Sequence, residues 1–162
     1  ADLATVKGLV EEKEYLKALY LLEIMPENIE SAALKYQCKL EVSENSAIRY
    51  FDVIQEKYRG DEQYLAVMES VMHLVLASDS RTDAVIKNGL DAVERLLRSG
   101  RNGDYRVHEA MGILCYRYGE SFRRKGVQAL ENSIPAAKMN RVGDDVIKHL
   151  EEQVKIYREK LY

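Results

Sequence analysis

The stretch from Val107 to Ile134 (VHEAMGILCYRYGESFRRKGVQALENSI) limits the fold most tightly, because it holds two apolar stripes at helical spacing with a glycine between them. In the first half Met111, Leu114 and Tyr118 recur beside Gly112; in the second, Val127, Leu130 and Ile134 recur beside Gly126 and Ser133. This pattern is a helix hairpin with small residues where the helices touch. Two helices of this length cannot bury their apolar faces by themselves, so the rest of the chain has to supply further helices that stack on them.

The other segments read as such helices. Asp2 to Met25 carries Leu3, Val6, Leu9 and Val10 on one stripe and Leu19, Leu22 and Met25 on a second, separated by the charged knot Glu11 to Glu14. Pro26 ends this pair and suits the first position of the next helix. Glu27 and Glu30 then fall in that helix's first turn, where the macrodipole favours acid, and Ala33, Leu34, Cys38 and Leu40 form its apolar side to an end near Val42. Ser43 suits the N-cap of a helix carrying Ala47, Tyr50, Phe51, Ile54 and Tyr58. Gly60 suits a left-handed C-terminal position and Asp61 the following N-cap.

Tyr64, Leu65, Met68, Val71, Met72, Val75 and Leu76 cover a wide arc, which predicts a helix apolar on two sides. Ser80 to Asp83 resembles a capping box opening the stripe Val85, Ile86, Leu90, Val93, Leu96 and Leu97, which Gly100 closes. Asn102-Gly103 reads as a tight turn. The last helix, near Val142 to Leu161, has Val142, Val146, Leu150, Val154, Tyr157 and Leu161 on one face and Glu151/Lys155 and Lys155/Glu159 pairs outside it. The total is about nine helices with no alternating run that competes as a sheet, so the fold class is all-α. With 162 residues, 46% of them hydrophobic, the expectation is one domain spanning 1–162.

Charge divides the chain. Residues 1–80 carry 8 Lys+Arg against 15 Asp+Glu, and residues 81–162 carry 16 against 12, giving −7 and +4. Opposite-signed halves attract a partner or another copy of the chain, and a homodimer is expected. The basic half is too sparse for nucleic acid, since only Arg123, Arg124 and Lys125 form a run. Cys38 and Cys115 lie inside apolar helical patterns and read as buried, reduced thiols. The sequence has no membrane-spanning apolar run, no leader-like start and no Asn-x-Ser/Thr acceptor. A soluble intracellular chain, cytoplasmic or nuclear, or a fragment of one, is the corresponding expectation.

Catalytic patterns are missing: there is no Gly-rich phosphate loop, His-Glu-x-x-His, Cys-x-x-Cys or Gly-x-Ser-x-Gly. His73, His108 and His149 have no second ligand at helical spacing, so no metal, cofactor or catalytic residue is expected. The eleven tyrosines combine apolar area with a hydroxyl and suit the walls of a peptide groove. Tyr116 and Tyr118 flank Arg117, a spacing that predicts one ring toward the core and one toward solvent or ligand. Arg123, Arg124 and Lys125 fall in a helix first turn, where cations oppose the dipole. Either they form a solvated corner near Glu120, or an acidic partner offsets them. Arg117, Tyr118, Arg123, Arg124 and Lys125 are therefore the candidate binding residues.

The central hairpin resembles the tetratricopeptide repeat. Gly112 matches that module's small residue in the first helix, Gly119 its turn glycine, and Gly126, Leu130 and Ser133 its small, large, small pattern in the second. Two additional residues fall within Glu120 to Arg124. The opening segment is a second match through Glu14-Tyr15, Ala18-Leu19 and Leu22, with the proline early at Pro26. Together they cover about a third of the chain, and residues 44–99 form longer helices than the module's, as in divergent members. The resemblance implies a right-handed superhelix, or α-solenoid, of antiparallel helix pairs. It also implies a non-catalytic scaffold or adaptor that holds a peptide or a neighbouring subunit of a multiprotein complex in a groove. The family's Lys/Asn clamp for chaperone tails is missing, its places being taken by Glu109 and Ile113, and by Leu3 and Lys7. The alternative is a helical domain that binds nucleic acid or phosphopeptide with the basic half.

Overall fold

A computed structural model describes residues 2–161, so the two end residues of the expected 1–162 domain lie outside it. The described residues form nine α-helices and two 3-10 turns, with no strand, which bears out the all-α expectation. The helices are α1 (Leu3–Glu11), α2 (Tyr15–Ile24), α3 (Ile29–Val42), α4 (Glu44–Tyr58) and α5 (Tyr64–Leu76), then α6 (Asp83–Arg98), α7 (Tyr105–Tyr118), α8 (Arg123–Met139) and α9 (Asp144–Glu159). They gather into two compact units, one ending at Leu74 and one beginning at Val75. In the first, α1 packs on α2, α2 on α3 and α3 on α4; in the second, α6 packs on α7, α7 on α8 and α8 on α9.

Side-chain caps fix three helix starts, and the structure corrects several expected ones. Asp2, Asn28 and Asp104 accept from Thr5 N (2.9 Å), Ser31 N (3.1 Å) and Arg106 N (3.0 Å), satisfying a free donor in the first turn of α1, α3 and α7. Because Asn28 caps α3, Pro26 and Glu27 both precede the helix, and only Glu30 supplies acid to its first turn. Ser43 does sit at the N-cap of α4, although its side chain makes no capping bond. Thr82, not Ser80, is the N-cap of α6. Asn102-Gly103 belongs to the 3-10 turn Arg101–Gly103 and is not a two-residue turn.

Gly60 is not left-handed; Gly100 (φ 95) alone among the glycines is, just past the end of α6, as expected. Between α1 and α2 Lys13 (φ 60) holds the left-handed position that glycine usually fills. Helix α8 continues beyond Ile134, the last residue of its apolar stripe in the sequence, through Pro135 to Met139. Proline removes one backbone donor there, but Pro135 is exposed while Ala136 and Ala137 continue the buried face of Leu130 and Ser133.

The first unit packs Val6, Ala18, Leu22 and Cys38 together, with Leu3, Leu9, Val10 and Leu34 against them. In the second, α7 and α8 approach until backbone meets backbone. A Cβ on Gly112 would come 2.7 Å from Gly126 O and 2.5 Å from Leu130 Cγ; one on Gly126 would come 2.6 Å from Gly112 O. No side chain fits there. Gly112→Ala and Gly126→Ala should each lower stability by about 1–3 kcal/mol through overpacking. Gly8→Ala, in α1 with nothing within 4 Å of its Cβ, should raise stability by roughly 0.5–1 kcal/mol. Urea unfolding of the three variants checks this ordering; equal stability of Gly112→Ala and wild type would contradict it.

Candidate functional site

The residues singled out in sequence lie at the corner where α7 ends and α8 begins, and the fold uses them differently. Arg117 Nη1 donates to the carbonyls of Leu76 (3.2 Å) and Ser78 (3.3 Å), so it satisfies orphan acceptors at the end of α5. Tyr118 packs edge-on against Phe122, with ring centroids 4.8 Å apart. The Arg123 guanidinium lies 4.7 Å from the centroid of Tyr116, whose ring stacks on Tyr157 at 4.8 Å. Lys160 reaches both rings, 5.9 Å from Tyr116 and 5.5 Å from Tyr157. Burial pushes the Tyr157 hydroxyl above its ordinary range, against the charge of Arg117.

Of the five candidates, then, Arg123 joins an aromatic cluster with residues that sequence reasoning did not select, namely Tyr157 and Lys160. Arg124 and Lys125 stay exposed in the first turn of α8, where no acid accompanies them. The expectation of one tyrosine inward and one outward does not hold. Tyr116 and Tyr118 are both half-buried, because α9 brings Tyr157 to the first and the 3-10 turn Glu120–Phe122 brings Phe122 to the second. That turn lies within Glu120 to Arg124, the stretch in which the two additional residues were noted.

In the first unit one exposed helix face is apolar. Helix α2 reads YLKALYLLEI and has more apolar side chains than one face can bury. Ala18 and Leu22 fill the core, while Leu16, Tyr20 and Ile24, spaced by four, are 70%, 67% and 63% exposed. Beside them a groove of about 440 Å³ is lined by Leu9, Leu16, Lys17, Tyr20 and Leu21. The sequence reading chose the inward stripe of α2; the near absence of polar residues from the other side was the signal for this second face.

The same unit holds a polar cluster around Glu27. Lys35, with its side chain only 9% exposed, donates from Nζ to Glu27 Oε2 (2.7 Å). Tyr50 and Tyr58 donate their hydroxyls to Glu27 Oε1 at 2.7 and 3.0 Å. Glu23 lies 3.6 Å from Lys35 and 3.3 Å from Lys39, and Lys39 donates to Ser46 Oγ (3.2 Å). The cluster ties α2, α3 and α4 together through groups distant in sequence. It is fully paired and offers no free nucleophile or acid.

Desolvation raises the Glu27 pKa, but the bonds from Lys35, Tyr50 and Tyr58 outweigh it and hold the carboxyl below its ordinary 4.5. Desolvation, followed by the bond to Glu27, pushes the Tyr58 hydroxyl up to about 12. Because Glu27 is harder to protonate folded than unfolded, its contribution is complete above 4.5 and is lost as pH falls through the lowered folded value. Glu27→Gln should therefore cost about 1–3 kcal/mol near neutrality, and the gap to wild type should shrink in acid. Thermal melts of both proteins across the acid range test this; a gap independent of pH would contradict it.

Other reactive groups are quiet. Burial pushes the Cys38 thiol up to about 11 and raises Cys115 as well, and both are buried and unbridged. His73 neighbours Glu69, and a His108 ring nitrogen meets the Asn102 carbonyl. Among the described residues no group of three or more His, Cys, Asp or Glu is placed to hold a metal ion, and no helix is long and apolar enough to cross a membrane. Comparison of the chain with protein-family models, curated proteins and solved structures finds no match.

Proposed function

We propose that the chain is a non-catalytic protein-interaction module of the tetratricopeptide-repeat kind, a scaffold or adaptor that docks an amphipathic helix of a partner protein on α2. The observation that carries this reading is the outward stripe Leu16, Tyr20 and Ile24 beside its apolar groove. Three large side chains in one row exceed the scattered apolar residues normal on a protein surface. Their spacing of four is the ridge that another helix packs into, over about 12 Å of axis. Lys17, also lining the groove, gives its edge a cation for an acid on the incoming helix.

In this reading the stacked helix pairs form a right-handed superhelix within a cytoplasmic or nuclear complex, and the polar cluster at Glu27 keeps α2 fixed for docking. The test is affinity capture with wild type and the double variant Leu16→Asp, Tyr20→Asp side by side. Both positions are exposed, so the helical circular dichroism should survive while the partner is lost. Capture of the same partners by the double variant would contradict docking on α2. Sedimentation showing that wild type self-associates and the variant does not would make a second copy the occupant in place of another protein.

A further inference from the structure

We infer that the corner formed by Tyr116, Arg123, Tyr157 and Lys160 binds a short acidic segment of a partner protein, with the Arg123 guanidinium taking a carboxylate. The site belongs to the second unit, and it is independent of the α2 reading.

Two cations lie within about 6 Å of one tyrosine centroid. Bringing like charges together is unfavourable unless something offsets it. The compensation inside the chain is slight. Glu120 is 4.0 Å from Arg123 with its side chain 88% exposed, and among the described residues no carboxylate is within ion-pair distance of Lys160. Such an exposed pair contributes little.

The stack also prepares Arg123 for a ligand. A guanidinium lying on a ring uses its face and leaves its in-plane N–H groups available, and its position is already restricted before anything binds. Arg123 Nε is buried with no hydrogen-bond partner and lies out of a ligand's reach, which leaves the terminal nitrogens, of which Nη1 has only Glu120 at 4.0 Å. A carboxylate is the acceptor whose two oxygens match the two terminal nitrogens. Arg124 and Lys125, both exposed on the next residues, extend the positive field.

The number of cations decides the class of partner. A nucleic acid gains affinity by neutralising many phosphates along its length, whereas this corner offers few cations on a chain of net charge −3. A short acidic peptide needs no more than the corner holds.

Fluorescence polarisation with a fluorescein-labelled peptide of alternating Glu and Gly tests the proposal on the whole chain. Saturable binding that weakens with salt is expected, with no binding of the Gln/Gly counterpart. Arg123→Gln combined with Lys160→Gln should weaken binding about tenfold or more while the helical spectrum persists. Arg123→Lys, which keeps the charge and loses the fork, should fall between. If the double variant does not fold, Lys160→Gln alone, at the exposed end of α9, should still weaken binding. Leu16→Asp with Tyr20→Asp should leave it unchanged. Failure to saturate at millimolar peptide, equal affinity of the Lys160→Gln or double variant and wild type, or tighter binding of a single-stranded RNA of matched charge would overturn the proposal.

Discussion

The contact between Gly112 and Gly126 sets the geometry of the second unit. With no Cβ on either residue, the carbonyl of each fills the space that a side chain on the other would need, and α7 and α8 lock in one register. Gly126 in turn lies against Tyr116 N and Cys115 Cβ, at 3.2 and 3.3 Å from its ideal Cβ position. Arg123, one helical turn earlier on α8, is thereby brought over the Tyr116 ring. The packing of α9 on α8 then supplies Tyr157 and Lys160. A backbone contact in the core thus determines which side chains meet at the surface.

The first unit is organised by a different balance. Its α1–α2 pair closes on a small apolar core, while the α2–α3–α4 side is tied by charge-assisted bonds centred on Glu27. Lys35 is nearly fully buried, and burial of a single charge is costly unless it is paired. Glu27 and Glu23 meet that requirement, and the two tyrosine hydroxyls complete the coordination of Glu27. With its inner face spent on the core and its end tied by Glu23, α2 still presents three large apolar side chains to solvent. That exposed apolar row is the surface on which the proposed docking of another helix rests.

What was legible in the sequence was periodicity. Each helix followed from a stripe of apolar residues, and the close contact of the hairpin followed from two glycines set among them. Glu27 was misread because an acid immediately after a proline fits a helix first turn, and nothing local reveals that its partners lie 8, 23 and 31 positions away. Pro135 carried no reading in the sequence, since a proline's effect within a helix depends on whether its turn faces solvent, as it does in α8, and that is a tertiary property. The face of α2 was legible only in part: surplus apolar residues were visible, but which of them remain exposed depends on α1 and α3. The cationic corner was half visible, Arg123 by its place in a first turn and Lys160 not at all, because the stack that joins them spans three helices.

The central claim is that recognition takes place on the outward face of α2. Hydrogen–deuterium exchange of the chain alone and bound to its captured partner tests it most directly. Slower exchange on binding should centre on residues 15–24 and the adjoining end of α1, whose Leu9 lines the same groove. Unchanged exchange across α2, with new protection confined to other helices, would contradict the account.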